Sequence, residues 1–263
     1  MIPNVIHFCY GFVPDLNGKP FSLVHYLAVR SAAETNHPEA IRFYYKHEPR
    51  GEWWERARPY LELVPIEPPH EIHGVPVRHH AHQTDYVRLQ ILRHQGGIYL
   101  DMDVLCLRSF RELRSREFVL GQEGVEGRHG LCNAVILAAP GAWFTEKWLE
   151  GFDPARSHWN GFRSTGWDRH WNEMAVRYPA FLARTYPARV HVLDHRAFFW
   201  PTWEDSHLRM LYLDSGLSFA DSYCVHLWEQ VAWERYLADL TIDSIRRVDT
   251  NFNLLARRFL AGL

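Results

Sequence analysis

Short apolar runs alternate with segments of helical character along most of this 263-residue chain. Apolar runs of strand length occur at residues 5–10, 41–46, 61–66, 98–100, 118–121 and 131–138. Helices are predicted between them at residues 22–34, 53–58, 85–95 and 142–150. This alternation predicts an α/β fold in which helices flank a mostly parallel central sheet.

The stretch from residue 83 to residue 107 organises the chain. Thr84 is predicted to cap a helix, with Asp85 in the first turn, where the helix dipole favours negative charge. The glycine pair at 96–97 ends this helix, because glycine tolerates the left-handed backbone that a helix end requires. The apolar residues 98–100 are then expected to form a buried strand.

Two aspartates, Asp101 and Asp103, follow this strand with one residue between them. Alternation along a strand predicts that both point to the same side. In open α/β sheets ligands bind at the carboxyl ends of the strands, and paired carboxylates there can share a hard divalent cation with phosphate oxygens. An isolated triplet of this kind also fits two solvated aspartates in a turn. The helix and the glycine pair before it favour a site.

A longer pattern surrounds the triplet, S/T-D-x-x-R-x-x-x-L-x-x-x-G-G-I-Y-L-D-x-D. The chain matches it with Thr84, Asp85, Arg88, Leu92, Gly96, Gly97, Ile98, Tyr99, Leu100, Asp101 and Asp103. In this pattern the chain resembles the sugar-binding region of retaining GT-A glycosyltransferases with a D-x-D motif. That group includes bacterial polysaccharide and lipooligosaccharide transferases, the yeast initiating mannosyltransferase type and the large clostridial glucosylating toxins.

The resemblance implies a GT-A-like fold and transfer of a hexose from a nucleotide diphosphate sugar, expected to be a UDP-sugar, to a hydroxyl acceptor such as a glycan, with retention. It also implies a manganese or magnesium ion held by Asp101, Asp103 and His226; a neutral imidazole suits manganese better than magnesium. Asp85 and Arg88 would grip the hydroxyls of the donor sugar. Further donor-site residues implied by the resemblance are Tyr10, Tyr99, Asn133, Trp228 and Trp233.

Each of these assignments has a structural alternative. Tyr10 can be an aromatic at a strand end, Asp85 and Arg88 an ordinary surface ion pair, and His226 a histidine in a hydrophobic corner. A buried Asn133 can instead satisfy a backbone group. Two other functions also stay open: a haloacid-dehalogenase-like phosphatase with Asp101 as nucleophile, and an inert sugar-nucleotide-binding module. The phosphatases have Thr or Val where this chain has Leu105, and usually carry their motif near the N-terminus.

Three other segments attract attention. A proline-rich stretch contains five histidines, at positions 70, 73, 79, 80 and 82. It lacks the paired cysteines or the H-E-x-x-H helix of zinc sites, so a solvated loop is the favoured interpretation. His80 or His82 could still line the site. Residues 157–171, which include Asn160, combine aromatic and polar side chains, as an acceptor site or a plain aromatic cluster would. Asp168 is the candidate acceptor-side carboxylate. Residues 12–20 are predicted to form a loop containing Asp15, Asn17 and Gly18.

Composition narrows the class of protein. Apolar residues make up 47% of the chain, enough for a substantial core, and the formal net charge of −2 gives no sign of nucleic-acid binding. The four cysteines have no C-x-x-C spacing and lie in or beside apolar runs, which favours a reducing compartment. With no signal-peptide pattern or apolar run of about 20 residues, a cytoplasmic location is expected.

The chain is predicted to be a single domain over residues 1–263, with residues 1–140 as the nucleotide-sugar-binding half and residues 141–263 as the acceptor side and a helical C-terminal part. Residues 198–200 are expected to be extended. Residues 235–263 are expected to be helical, with an apolar stripe including Leu254, Leu255 and Phe259. This segment is expected to pack on the sheet; a peripheral membrane contact is the alternative. The sequence leaves the sugar, nucleotide, acceptor, linkage and oligomeric state open.

Overall fold

The computed structural model describes residues 1–14, 19–159 and 161–263, so Asp15, Asn17, Gly18 and Asn160 lie outside the described residues. In the described part of the chain, a central seven-stranded sheet has the spatial order β10-β8-β9-β6-β1-β2-β3, and two short two-stranded sheets, β11-β7 and β4-β5, accompany it. The strands are β1 (Val5–Tyr10), β2 (Ala40–Tyr45), β3 (Glu62–Pro65), β4 (Glu71–Ile72), β5 (Val75–Pro76), β6 (Gly97–Leu100), β7 (Val104–Cys106), β8 (Phe118–Glu123), β9 (Gly130–Ala138), β10 (His191–Leu193) and β11 (Cys224–His226).

The central sheet is mostly parallel, as predicted. Strands β3, β2, β1 and β6 run parallel, whereas β9 is antiparallel to both β6 and β8. Helices cover both faces of the sheet, as they must when parallel strands are buried on each side. The described helices are α1 (Leu23–Asn36), α2 (Glu52–Ala57), α3 (His80–Gln95), α4 (Trp143–Glu150), α5 (Tyr178–Thr185), α6 (His195–Phe198), α7 (Asp205–Tyr212), α8 (Glu229–Ala232), α9 (Ile242–Arg247) and α10 (Asn251–Ala256).

Two hydrophobic clusters fill the spaces above and below the sheet. Successive side chains of β6 show the division: Ile98 and Leu100 belong to the cluster that includes α1, and Tyr99 belongs to the cluster that includes α3 and α4. This is the period of two that a strand buried on both faces requires. The continuous apolar composition of this strand follows from it.

The glycine pair ends α3 and starts β6, as predicted. Gly96 has φ 62° and Gly97 has φ 109°, both in the region that favours glycine. A side chain at Gly97 would also collide with its neighbours, since an added Cβ would lie 2.6 Å from Nε2 of His7 and 2.6 Å from the carbonyl oxygen of Val5. His7 donates from this same Nε2 to the carbonyl of Gly96 at 2.8 Å. The turn therefore depends on glycine twice, for backbone conformation and for space.

Helix α3 begins earlier than the sequence predicted. His79 has an extended backbone, and its imidazole accepts a hydrogen bond from the backbone N–H of Ala81 at 3.2 Å, so His79 is the N-cap. The prediction of Thr84 as the cap is wrong. Its hydroxyl donates to the carbonyl of His80 inside the helix at 2.9 Å, and Asp85 lies in the second turn. A histidine cap is not among the preferred capping residues, which is why the pattern pointed to threonine.

Asp101 and Asp103 do not lie on an extended strand. The chain turns at residues 101–103, and the N–H of Val104 donates to the carbonyl of Asp101 at 3.1 Å before β7 begins. The predicted alternation along a strand is therefore wrong as the reason for their convergence. A tight turn between β6 and β7 brings the two carboxylates together instead.

Two predictions for the C-terminal part need correction. Residues 198–200 are not an extended segment, because Phe198 ends α6. Residues 235–263 are not one helix, since Thr241 and Thr250 each accept a backbone N–H three residues later, at 3.0 Å and 3.1 Å, and start new helices.

The C-terminal helices pack into the core on the α1 side through Ile245, Phe252, Ala256 and Phe259, while Leu254 is 43% exposed. Within the described ranges, no helix combines the length and the apolar character needed to cross a bilayer. The membrane contact, the cytoplasmic location and the single-domain division stay predictions.

Candidate active site

Three side chains from distant parts of the sequence converge at the carboxyl end of β6. Asp101, Asp103 and His226 each offer one ligand atom, and these atoms lie within 4.8 Å of one another. The arrangement exists because β11 pairs antiparallel with β7, which places His226 opposite Val104. All three residues were predicted to act together, and the structure brings them together.

Asp103 is held in place by β11 and the start of α8. Its Oδ1 accepts from Nε2 of His226 at 3.1 Å, and its Oδ2 accepts from the backbone N–H of Glu229 at 2.8 Å. Its own carbonyl accepts from the N–H of Leu227 at 2.8 Å. These bonds fix the Asp103 carboxylate before any ligand arrives.

The pKa values of this cluster reflect burial and charge together. Burial alone would raise the pKa of Asp103, but the adjacent His226 and the N–H of Glu229 lower it below its ordinary value. Burial opposes protonation of His226, but the Asp103 carboxylate raises its pKa above the ordinary value. Asp101 behaves differently: burial raises its pKa, and Arg88 only partly offsets that effect.

Arg88 connects α3 with the turn after β6 and with β9. Its guanidinium donates to the backbone carbonyl of Asn133 at 2.7 Å and lies 3.1 Å from Oδ1 of Asp101 and 3.4 Å from Oδ1 of Asp85. The side-chain amide of Asn133 donates to the same Asp85 oxygen at 2.7 Å. Asp85 and Arg88 are only 7% and 4% exposed, so they are not the surface ion pair that the sequence left open. Such planar multidentate contacts suit a guanidinium.

Tyr99 contacts both Asp101 and Arg88 of this network. It is fully buried, its hydroxyl donates to Oδ1 of Asp101 at 2.9 Å, and the guanidinium of Arg88 lies 4.4 Å from the centre of its ring. Tyr99 was predicted to bind the donor. In the structure it contacts the residues that line the cavity and orients them.

Charge pairing keeps the two α3 residues ionised. Burial would raise the pKa of Asp85, but His82, Arg88 and Asn133 together lower it. The pKa of Arg88 is raised despite burial, because Asp101, Tyr99 and Asp85 surround it. The pair therefore holds one fixed cation next to one buried anion.

Two neighbouring cavities lie beside these residues. The smaller, of about 190 Å³, is lined by Cys9, Tyr10, Gly11, Phe12, His80, Ala81, Thr84, Arg88, Asp101, Met102, Asp103 and Glu229. The larger, of about 1020 Å³, is lined by Tyr10, Gly11, Pro14, Lys19, Pro20, Phe21, Lys46, His47, Glu48, Pro49, Arg50, Trp54 and Glu55. Tyr10 and Gly11, at the end of β1, line both, so the two cavities are neighbours.

The predicted aromatic donor-site residues occupy different positions. Tyr10 lines both cavities and packs edge-on against His25, with ring centres 5.0 Å apart. Trp228 is buried behind His226, with ring centres 4.1 Å apart, and its Nε1 donates to the carbonyl of Pro201 at 2.8 Å. Trp233 is half-buried, and the ammonium of Lys19, which lines the larger cavity, lies 5.4 Å from the centre of its ring. Direct donor contact by Trp228 and Trp233 stays a prediction.

The structure adds Glu229 and Ser164, which the sequence did not identify, and it shows how His82 is connected to the site. Glu229 lines the smaller cavity and lies 3.3 Å from Nε2 of the buried His25. His82 contacts Asp85 at 3.3 Å through Nδ1 and Ser164 at 2.9 Å through Nε2. The position of Glu229 directly after Trp228 could have identified it. Nothing local in the sequence connects Ser164 to the site.

Two other predictions are resolved by geometry. Within the described ranges, the histidines of residues 70–82 do not take part in the three-residue metal-ligating group, and the zinc interpretation gains no support.

Asp168 accepts from the N–H groups of Thr165 and His170 at 2.8 Å each, and from the hydroxyls of Thr165 and Ser164 at 3.1 Å each. These bonds lower its pKa to about 2. Asp168 therefore organises its own turn, and the prediction of an acceptor-side carboxylate gains no support.

Comparison with known proteins shows the family of this chain. Residues 23–120 match the model of the glycosyltransferase sugar-binding region containing a DXD motif. Glucan organizing enzyme 1 of Cryptococcus neoformans var. grubii serotype A is 35% identical over 99% of this chain and 71% of its own length. The chain belongs to this glycosyltransferase family.

One solved glycosyltransferase structure shows the same architecture. The glycosyltransferase superposes on mouse xyloside xylosyltransferase 1 with a TM-score of 0.53, 13% identity, and coverage of 86% of this chain and 98% of that chain. The galactosyltransferase LgtC, solved with donor and acceptor sugar analogues, aligns with a TM-score of 0.48, 14% identity, and coverage of 98% and 97%. The GT-A fold predicted from the resemblance is confirmed. Family membership favours sugar transfer over the phosphatase and the inert binding module.

Proposed function

We propose that this glycosyltransferase moves a hexose from a nucleotide diphosphate sugar, expected to be a UDP-sugar, to a hydroxyl of a saccharide acceptor, with retention and with a divalent cation. One observation carries the proposal. Asp101, Asp103 and Arg88 line one cavity, with His226 bonded to Asp103 and Asp85 paired with Arg88, and Tyr10 lines both this cavity and a larger one. A nucleotide sugar has a charged centre and two different ends, and this pair of spaces suits such a molecule.

The larger cavity is proposed to take the nucleoside. Its lining includes Lys19, Lys46 and Arg50, whose positive charge attracts a polyanion, together with Glu48 and Glu55. Tyr10 also lines this cavity and would offer an aromatic face for a base. The diphosphate would then lie between the cavities beside Asp101 and Asp103, and the sugar would lie toward Asp85 and Arg88.

The cluster fits a manganese or magnesium ion. Two carboxylates and one imidazole form a ligand set with hard oxygens and one nitrogen, and Nδ1 of His226 is buried without a hydrogen-bond partner among the described residues. A cation bound there would neutralise the charge that develops on the leaving diphosphate. The protein's own contribution is to hold Asp103 through His226 and Glu229, and Asp101 through Tyr99 and Arg88.

Retention is proposed on the resemblance to retaining relatives. The acceptor oxygen forms a bond to the anomeric carbon on the face from which the nucleoside diphosphate departs, and the hydroxyl proton passes to the departing phosphate. Arg88 and Asp85 would hold the sugar hydroxyls during this exchange, and such fixed charges act without reorganisation. The name of the cryptococcal relative, which refers to glucan, supports a saccharide product.

The proposal is tested by thermal unfolding with UDP, GDP and UDP-sugars, each with and without manganese. At a ligand concentration of about 100 times the Kd, binding adds about 2.7 kcal/mol and raises Tm by roughly 5–10 °C. We expect this shift with a uridine nucleotide plus manganese, its loss in Asp103→Ala, and its retention in the control Asp221→Ala, which changes an exposed aspartate close before β11.

Donor turnover completes the test. The wild-type protein should release UDP from one UDP-sugar, slowly with water and faster with a saccharide. A wild-type protein that neither binds nor cleaves any nucleotide sugar would contradict the proposal. A full shift in Asp103→Ala would contradict the assigned metal site.

A further inference from the structure

A row of four aromatic rings runs from the smaller cavity to the protein surface. His80 lines the cavity and stacks on His79, with ring centres 4.4 Å apart. His79 meets Trp171 edge-on at 4.8 Å, and Trp171 stacks on Trp167 at 3.8 Å with an interplanar angle of 14°. The last ring of the row, that of Trp167, is 64% exposed. We name these four residues the aromatic row.

Exposure of a tryptophan to this degree is unfavourable unless something covers it, because its ring carries a large apolar area. A single exposed apolar residue would need no explanation. Trp167, however, lies parallel to a second tryptophan and at the outer end of a row that begins in the donor cavity. Its position relative to the site distinguishes it from a scattered surface residue.

The segment that carries both tryptophans is tied to the donor-sugar residues. Ser164 is 3% exposed, and its Oγ lies 2.9 Å from Nε2 of His82. Nδ1 of His82 lies 3.3 Å from Oδ2 of Asp85, the residue proposed to hold the donor sugar. Asp168 then fixes the turn between the two tryptophans by four hydrogen bonds. The exposed ring is therefore held in a defined position relative to Asp85.

We infer that Trp167, supported by Trp171, is an acceptor subsite that binds a pyranose ring of a saccharide. One face of a pyranose consists of C–H groups and suits a flat aromatic face, while its rim of hydroxyls suits nearby polar side chains such as the exposed Arg169. This inference rests on the proposed function, because it assigns the acceptor side of the same reaction. The sugar unit bound there would lie remote from the reacting hydroxyl, so the acceptor would be an oligosaccharide.

A change at Trp167 should affect acceptor binding and leave donor binding unchanged. Removal of Trp167 should weaken the binding of a longer acceptor, because the unit that contacts the ring loses its platform. It should not change the hydrolysis of the donor by water, since the Asp101, Asp103, His226 and Arg88 contacts do not include this residue. Energy from remote contacts of this kind appears mainly in the acceptor KM when the chemistry is unchanged.

The experiment compares Trp167→Ala with Trp167→Phe and with Tyr186→Ala. Tyr186 is a matched control, because it is also exposed (37%) and rests edge-on against another ring, Trp143, at 4.8 Å. Trp143 starts α4, which follows the end of β9, and that end pairs with Gly97 at the amino end of β6. The control therefore lies toward the end of β6 opposite to Asp101. Gluco-, manno- and galacto-oligosaccharides from disaccharide to hexasaccharide serve as acceptors.

We expect Trp167→Ala to raise the KM of the best oligosaccharide about tenfold or more, equivalent to about 1.4 kcal/mol. Trp167→Phe should keep most of the affinity and Tyr186→Ala all of it, and donor hydrolysis and UDP-induced stabilisation should be equal in all four proteins. Binding of an oligosaccharide should also change the tryptophan fluorescence of the wild type and not that of Trp167→Ala, a readout that needs no turnover.

Four results would overturn the inference. They are an unchanged acceptor KM in Trp167→Ala, an equal loss of donor hydrolysis in that variant, a saccharide-induced fluorescence change that persists without Trp167, and binding of a protein instead of saccharides at this surface. Failure of the proposed function looks different, because the wild type would then turn over no nucleotide sugar at all.

Discussion

The side-chain amide of Asn133 donates a 2.7 Å hydrogen bond to Oδ1 of Asp85, although 48 positions separate the two residues. The contact joins the start of the antiparallel strand β9 to the second turn of α3, and Arg88 closes the group by donating to the carbonyl of Asn133 at 2.7 Å. The amide thus helps to fix the orientation of the buried Asp85 carboxylate. This is a positioning role, and it can be measured.

Asn133→Ala should lower kcat/KM for the donor by about 10- to 100-fold, because Asp85 loses one of the bonds that orient its carboxylate. Asn4→Ala is the control, since Asn4 also donates through its side-chain amide, to the carbonyls of Asn36 and His37. That control should change stability and leave donor kinetics unchanged. Steady-state kinetics at saturating acceptor provide the measurement, and equal kinetics for Asn133→Ala and wild type would refute the role.

Arg88→Lys should be far from conservative. Lysine offers a point charge where the guanidinium contacts Asp85, Asp101 and the carbonyl of Asn133 together, so at least one buried partner is left unpaired. We expect a loss of about 100-fold in kcat/KM and about 2 kcal/mol in the free energy of unfolding. Arg93→Lys, on the same helix but exposed in its ion pair with Glu146, should behave as wild type in both assays.

His7 should make stability depend on pH. Burial is the main cause that lowers its pKa to about 4, against the ordinary 6.5, and the nearby charge of Arg42 contributes in the same direction. The unfolded chain binds a proton at His7 below about pH 6.5, and the folded protein does so only near pH 4. The free energy of unfolding should therefore fall by about 3 kcal/mol as the pH falls through this window.

His7→Gln isolates this effect. Glutamine retains a donor for the carbonyl of Gly96 and has no ionisable group, so the pH dependence of the variant lacks the His7 contribution while every other histidine is shared. Denaturant unfolding at a series of pH values between about 4 and 7.5 tests the prediction, with a steeper fall expected for the wild type. Parallel pH profiles for the two proteins would show that His7 stays neutral in both states or titrates equally in both.

Gly97→Ala should destabilise the protein through two separate effects. The left-handed φ of 109° disfavours alanine, and the new Cβ would lie 2.6 Å from His7 Nε2 and from the carbonyl of Val5. Gly51→Ala separates them, because Gly51 has φ 103° and open space around the Cβ position. We expect a loss of about 1 kcal/mol for Gly51→Ala and about 3 kcal/mol or more for Gly97→Ala, measured as a difference in Tm. Similar losses would mean that His7 moves aside without cost.

Local sequence information was sufficient where the deciding contacts were local. The strands at residues 5–10 and 98–100 and the glycine end of α3 follow from apolar pattern and from backbone conformations that only glycine adopts easily. The start of α3 was misplaced, because a histidine with an extended backbone caps it and pattern gives histidine little weight. The prediction of one helix over residues 235–263 was wrong because it gave no weight to two good capping residues in that stretch. Thr241 and Thr250 start separate helices there.

The sequence by itself determined the alternation of strands and helices, the position of Asp101 and Asp103 at the end of a buried strand, and the family pattern around them. Only the tertiary structure decided that His226 contacts Asp103 across 123 positions, that Asn133 orients Asp85, and that Ser164 reaches Asp85 through His82. The physical reason is that these contacts depend on which strands become neighbours. Strand β11 pairs with β7, and β9 inserts antiparallel between β6 and β8, and no local pattern specifies either pairing.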